Sequence, residues 1–171
     1  YEWSETTTVN RRWSWVTRWL GNNEFSIESP SKRTTTIRVD THMQPSLVTT
    51  PSGAKLALGY NSRGQLDTET LQSSTGNRAT TYTYHPAGVP GAGQLATTTD
   101  PLGRSVRFDY NTAGRLTIQT QPDGRTLRYD YDNNGNLSKL TTPAGVIHSF
   151  DYTPKDRPSL YTAPGDSVGT Q

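Results

Sequence analysis

The sequence contains no cysteine, which excludes disulfide bridges and thiolate metal sites and says nothing firm about compartment. Hydrophobic residues are scarce, at 30% of 171 positions, even alongside 15 glycines; that is low for a compact globule. No apolar run approaches the length needed to cross a bilayer, and no secretory leader is visible. Charge is nearly balanced: a net +2 is too small to imply nucleic acid, and no arginine cluster is dense enough to track a phosphate backbone. His42, His85 and His148 are scattered without ligand spacing, and neither a nucleophile elbow nor a P-loop occurs. Carboxylates stand mostly as recurring neighbours of tyrosine rather than as an isolated pair. Catalytic residues, cofactors and resident metals are therefore not expected. What the chain does have is aromatic: nine Tyr and four Trp, too many for a disordered segment. With abundant Thr and Gly, that composition fits a β-sheet with one wetted face.

The tyrosines are periodic. Tyr60, Tyr84, Tyr110, Tyr131 and Tyr152 each precede a short stretch that usually ends in Gly, with Leu two positions later. The last three are spaced by 131−110 = 21 and 152−131 = 21 residues. The loop glycines Gly64, Gly88, Gly114 and Gly135 fall at Tyr+4, and Leu66, Leu95, Leu116 and Leu137 open the returning strands. A fixed period near twenty residues marks a repeat array, in which repeated positions build surface and shape rather than one singular site.

Within one repeat, apolar residues alternate up to the tyrosine: Val106, Phe108, Tyr110 and Leu127, Tyr129, Tyr131, against Ser105, Arg107, Asp109 and Thr126, Arg128, Asp130. Period two predicts a strand buried on one face. An Asx residue followed by a Gly free to take positive φ predicts a short hairpin loop with a glycine bulge. Pro51-Ser-Gly53, Pro101-Leu-Gly103, Pro122-Asp-Gly124 and Pro143-Ala-Gly145 predict type I turns with Pro second and Gly fourth. All connections are short, so successive strands should be antiparallel neighbours and no helix is expected. The fold class is all-β, a continuous meander of hairpins.

Two copies depart from the pattern. After Tyr84 the loop is five residues longer, which accounts for the 26-residue step to Tyr110. After Tyr152, Asp156 and Pro158 replace the loop Gly and the Leu; Pro158 cannot donate to a ladder, so pairing should weaken or become an edge there. Upstream, Arg33–Asp40 and Ser46–Thr50 read as degenerate repeat strands. The organisation expected is a Trp/Arg-rich segment over residues 1–30, as a degenerate repeat or plug, the hairpin array over 31–164, and a tail or the start of another repeat over 165–171.

The pattern Gly-x6-Tyr-Asx-x2-Gly-x-Leu resembles the YD-repeats of Rhs-family proteins, which include bacterial polymorphic-toxin effectors, the C components of insecticidal toxin complexes, and teneurins. The resemblance covers roughly residues 31–164. It implies a β-strip that curves or spirals into a hollow shell, in bacterial members enclosing a C-terminal toxin domain for delivery. It also implies that the chain is one stretch of a longer secreted or cell-surface protein, whose export signal lies elsewhere and whose partners are the rest of the shell and the enclosed toxin. Asp100-Pro101-Leu102-Gly103-Arg104 is similar to part of the family's self-cleavage segment. Leu95 stands where its upstream Pro belongs and Arg104 where its final Leu belongs, so an ordinary repeat turn is expected. In such a shell the aromatic parity should face inward and the Arg/Asp parity outward, with Arg107–Asp130 or Arg128–Asp109 contacts between hairpins.

Two further features carry alternative readings. Asp130-x-Asp132-x-Asn134-Gly135 matches the opening of an EF-hand loop, but Thr141 stands where the bidentate Glu belongs and helices are lacking; a hairpin loop already explains these residues. Trp13, Trp15 and Trp19 share parity and would line one strand face. A flat aromatic strip of that kind can stack on sugar rings, giving a glycan-binding or adhesion module as the rival to a structural shell segment. Bulky aromatics packed inside a β-shell are the competing explanation. Arg11, Arg12 and Arg18 beside them read as a solvated face.

Overall fold

The computed structural model describes residues 4–9 and 13–165. Two compact units meet between Thr81 and Tyr82. The first holds β1 (Ser4–Val9), β2 (Trp13–Gly21), β3 (Glu24–Glu28), β4 (Thr34–Val39), β5 (Pro45–Thr49), β6 (Lys55–Tyr60) and β7 (Leu66–Gln72). β8 (Arg78–Tyr84) crosses the boundary. The second unit continues with β9 (Leu95–Thr99), β10 (Ser105–Tyr110), β11 (Leu116–Thr120), β12 (Thr126–Tyr131), β13 (Leu137–Thr141), β14 (Ile147–Tyr152) and β15 (Pro158–Thr162). The fifteen strands form one sheet whose spatial order is the sequence order. Neighbouring strands pair antiparallel, as in β2 with β3 and β12 with β13, and no helix occurs among the described residues. The meander expected from short connections is what forms, because a two-strand connection of this length leaves no room for a crossover.

In the first unit the register builds one row of apolar side chains across six strands: Trp19, Phe25, Ile37, Val48, Leu56 and Leu71. The adjacent row, on the opposite face, is Arg18, Ser26, Thr36, Thr49, Lys55 and Gln72. Three ion pairs add to the polar face: Arg18–Glu28 at 3.0 Å, Lys32–Glu28 at 2.7 Å and Arg38–Glu24 at 3.5 Å. They are largely solvated and contribute little each. The degenerate strands Arg33–Asp40 and Ser46–Thr50 emerge as β4 and β5. Of residues 1–30, the described part supplies β1, β2 and β3.

In the second unit Phe108, Gln119 and Leu127 share one row, and Tyr129, Leu140 and His148 another on the same face. Arg107, Arg128 and Asp130 are exposed on the other face, whereas Tyr110, Tyr131 and Tyr152 are half-buried. Parity therefore separates the two faces as expected. The anticipated Arg128–Asp109 contact does not form, since Ile118 of the intervening β11 stands between them in the same row. Arg107 likewise lies beside Thr97 and Thr120, two strands from Asp130. Pro158 begins β15, the last strand in the order.

The sheet has almost no core. Among the described side chains only Val39 (7% exposed) and Ser26 (5%) are buried. A single layer shields its apolar face only through lateral neighbours, which explains how so few hydrophobic residues suffice to order this chain.

Candidate functional site

Because strands alternate in direction, the loops after the repeat tyrosines gather on one rim of the sheet and the Pro–Gly turns on the other. Both rims use the same backbone device. On the tyrosine rim, Gly64 N–H donates to Asn61 C=O and Asn61 N–H to Gln65 C=O, each at 2.9 Å, and Gly64 sits at φ 74°. Asn111–Arg115 and Asp132–Asn136 repeat these bonds. On the Pro–Gly rim, Gly103 N–H donates to Asp100 C=O at 2.9 Å with φ 78°. In several loops the first residue locks the turn with its side chain: Asn61 Oδ1 accepts from Arg63 and Gln65 N–H, and Asp132 Oδ1 from Asn134 and Asn136 N–H. Thr153 does the same with its hydroxyl. These are type I turns with a glycine bulge, held by an Asx-type bond.

The calcium-like motif resolves into such a loop. Burial pushes the Asp132 carboxyl upward, but the Asn136 side chain and the loop N–H groups outweigh it and leave it below the usual carboxylate range. No group of three or more His, Cys, Asp or Glu among the described residues could hold a metal.

The repeat tyrosines do more than pack. Tyr60 Oη donates to Pro45 C=O at 2.8 Å, Tyr131 Oη to Leu116 C=O at 2.7 Å, and Tyr152 Oη to Leu137 C=O at 3.0 Å. Each acceptor is the first residue of the preceding hairpin's return strand. The hydroxyl thus clamps one hairpin to the one before it. Burial pushes the Tyr60 and Tyr131 hydroxyls above their usual pKa; Asp40 adds to this at Tyr60, while at Tyr131 Tyr129 adds and Arg115 opposes.

A second link runs the other way. The residue that follows the positive-φ loop position and precedes the return strand's first residue or its equivalent (Gln44, Gln94, Arg115, Asn136) reaches forward to the next loop. Gln44 Nε2 donates to Gly64 C=O at 2.9 Å, and Gln94 Nε2 to Gly114 C=O at 3.0 Å. Asn136 Nδ2 donates to Asp156 Oδ1 at 2.8 Å, joined there by Asn134 Nδ2 at 3.0 Å. Asp156 holds φ 56° where the Asn61, Asn111 and Asp132 loops have glycine, so these two amides offset its strained backbone. Arg115 lies across Gly135 with its guanidinium 5.2 Å from the centre of the Tyr131 ring. In the repeat pattern this position is the unspecified residue of Gly-x-Leu. Its shared property, a long polar side chain able to donate, was the available signal.

The long loop of the second copy closes differently. His85 N–H donates to Gln94 C=O and Gly93 N–H to His85 C=O, both at 2.9 Å, so Gly93 rather than Gly88 takes the closing position. The inserted residues fold onto the next repeat. His85 Nε2 donates to Phe108 C=O at 2.7 Å, its ring meets Tyr110 edge-on at 5.5 Å, and Gly91 is buried against the Tyr110 ring. Tyr110, its pKa raised by burial, here supports the loop instead of clamping the preceding strand.

On the Pro–Gly rim the side chains stay within their own turns. Arg104 Nε donates to Asp100 at 2.7 Å and Arg125 Nε to Asp123 at 2.6 Å. Hydrogen bonds from Arg104 lower Asp100, and those from the Arg125 backbone and side chain lower Asp123. No hydrogen bond or ion pair among the described residues of the second unit joins one Pro–Gly turn to the next. An open groove of about 530 Å³ remains there, lined by Arg104, Val106, Pro122, Arg125, Leu127 and Pro143 among others.

Of the tryptophans, Trp15 is 45% exposed, whereas Trp19 is half-buried with its ring edge-on to Phe25 at 4.5 Å. The Trp13 side chain, together with Trp3, Arg11 and Arg12, lies outside the described residues.

Residues 91–126 and 118–147 match the RHS Repeat family model. In fold the chain is similar to the crystal structure of TcdB2-TccC3-Cdc42, with TM-score 0.70 and 15% identity, covering 94% of this chain and 10% of that one. It is also similar to the crystal structure of TcdB2-TccC3 without hypervariable C-terminal region, with TM-score 0.64 and 17% identity, covering 82% of this chain and 9% of that one. The chain therefore spans about one tenth of the length of these solved chains. No curated protein sequence matches it significantly.

Proposed function

We propose that the chain is a stretch of an Rhs/YD-repeat array and, on that premise, a non-catalytic wall segment of an Rhs-type shell that encloses a toxin domain for delivery outside the producing cell. One observation carries the reading: a sheet with a half-buried aromatic face and only two buried side chains among those described, Val39 and Ser26, needs further surface against its apolar side. The wall of a closed shell supplies it. The aromatic face turns inward, where it shields apolar segments of an incompletely folded cargo from water. The exposed Arg107, Arg128 and Asp130 face turns outward. The work of such a wall is confinement, which needs no reacting group.

The test is a deletion in the parent protein of one 21-residue period, residues 105–125. It preserves strand parity while shortening the wall by one hairpin. Limited proteolysis should then cut the enclosed domain that the intact shell protects. A domain equally protected in both proteins would rule out enclosure by this wall.

A second reading, a glycan-binding or adhesion module, draws on the exposed ring of Trp15. A glycan array separates the two. Specific binding that is lost in Trp13→Ala and Trp15→Ala supports the module; no binding supports the wall.

A further inference from the structure

We infer that successive hairpins are latched along the tyrosine rim alone, so that the sheet flexes by opening and closing its Pro–Gly rim. In the second unit each step on the tyrosine rim carries contacts between loops. Gln94 bonds Gly114, and His85 and Gly91 seat on Phe108 and Tyr110. Arg115 covers Gly135 and the Tyr131 ring, and Tyr131 returns a bond to Leu116. Asn134 and Asn136 bond Asp156, and Tyr152 returns a bond to Leu137. The latch is reciprocal: one side chain reaches forward, and a hydroxyl or ring reaches back.

The glycines report the same asymmetry. A Cβ added at Gly114 or Gly135 meets the side chain arriving from the previous loop, whereas one added at Gly103, Gly124 or Gly145 meets nothing within 4 Å. Asp100 and Asp123 spend their acceptors on their own turns, which leaves no polar group committed across the groove beside them. Strand ladders fix the spacing in mid-sheet. At the rims, only latched loops resist relative rotation of neighbouring hairpins, and unlatched turns follow whatever twist the ladder allows. The same asymmetry holds within the first unit, where Gln44 and Tyr60 make the latch and Gly53 stands free. The inference holds whatever the array encloses.

The full chain lacks cysteine, so paired spin labels can be placed cleanly. Leu102→Cys with Ala144→Cys reports on the Pro–Gly rim, and Ala113→Cys with Lys155→Cys reports on the tyrosine rim. All four positions are exposed. Both pairs span four strand spacings, about 19 Å. Dipolar spectroscopy should give a distance distribution roughly twice as wide on the Pro–Gly rim. Adding Asn136→Ala and Tyr152→Phe should widen the tyrosine-rim distribution to match, with far-UV circular dichroism confirming that the sheet remains. Equal widths in the otherwise unaltered chain overturn the inference, as does a latch variant that folds and keeps the narrow distribution. If the latch variant fails to fold, the comparison between the two rims decides alone.

Discussion

The tyrosine loops and the Pro–Gly turns share one backbone geometry and differ in what lies over them. Both close with an N–H to C=O bond at the fourth position and a residue at positive φ. At Gly64, Gly114 and Gly135 on the tyrosine rim that residue lies under a side chain from the previous hairpin; at Gly53, Gly103, Gly124 and Gly145 on the Pro–Gly rim it faces open space. The contrast separates two requirements that a repeat motif otherwise blends. Reversing the chain needs only local chemistry, Asx or Pro followed by Gly. Holding one reversal against the next needs side chains that span a full period. The cost of disturbing a loop should therefore depend on its rim more than on its own sequence.

Glycine substitutions give the largest expected effects. Gly91→Ala adds a left-handed backbone penalty to a collision with the rigid Tyr110 ring, and should destabilise by about 3 kcal/mol in urea unfolding. Gly88→Ala in the same loop has open space at φ 85° and should cost about 1 kcal/mol. Equal midpoints for the two would mean that the long loop does not dock on Tyr110.

Between the rims, Gly135→Ala and Gly124→Ala share the backbone penalty. The first must also drive Arg115 off the Tyr131 ring, so it should be the more destabilising by about 1 kcal/mol, partly relieved by the flexibility of Arg115. Combining it with Arg115→Ala should remove the difference in thermal melts.

Hydroxyl removal sharpens the comparison further. Tyr131→Phe and Tyr152→Phe each delete a clamp and should cost about 1 kcal/mol. Tyr110→Phe should cost close to nothing, because its ring rather than its hydroxyl is used. A Tyr110→Phe penalty as large as the others would return these residues to a single role.

Smallest is the pH dependence. Tyr60 and Tyr131 have raised folded pKa values, so their stabilisation is complete below about pH 10 and is lost as pH rises through the folded values. That alkaline loss should shrink in Tyr131→Phe. Glu28, Asp100, Asp123 and Asp132 are lowered. Their contribution is present above the usual carboxylate range and is lost as pH falls through the lowered values. Because lowered carboxylates occur on both rims, acid unfolding should not distinguish them, whereas alkaline unfolding should.

Strand parity, turn chemistry and the antiparallel meander were legible in the residues, since each depends on neighbours a few positions apart. Val106, Phe108 and Tyr110 alternate with Ser105, Arg107 and Asp109, and β10 forms with those two faces. Pro at the second position and Gly at the fourth are enough for the turn at Asp100–Gly103. The tyrosine hydroxyls were half legible. Their parity indicated packing, yet five copies keep Tyr where Phe would pack equally well, and the hydroxyl is the reason at Tyr60, Tyr131 and Tyr152. The forward-reaching Gln44, Gln94, Arg115 and Asn136 were not legible. Their partners lie 20 residues on, one short of the 21-residue period, and no local pattern names a partner at that distance. Gly88 is a loop glycine at positive φ, as the Tyr+4 spacing indicated, but which glycine closes the lengthened loop was not legible, and the bond pattern selects Gly93.

By itself, then, the sequence determined the period, the strand faces and the places where the chain turns, because φ preferences and side-chain alternation act within a few residues. Only the tertiary structure decided which rim is latched, which tyrosine clamps and which supports a loop, and that Ile118 rather than a charge stands between Asp109 and Arg128. Those outcomes depend on register and on the reach of side chains between hairpins, and neither exists until the strands have paired.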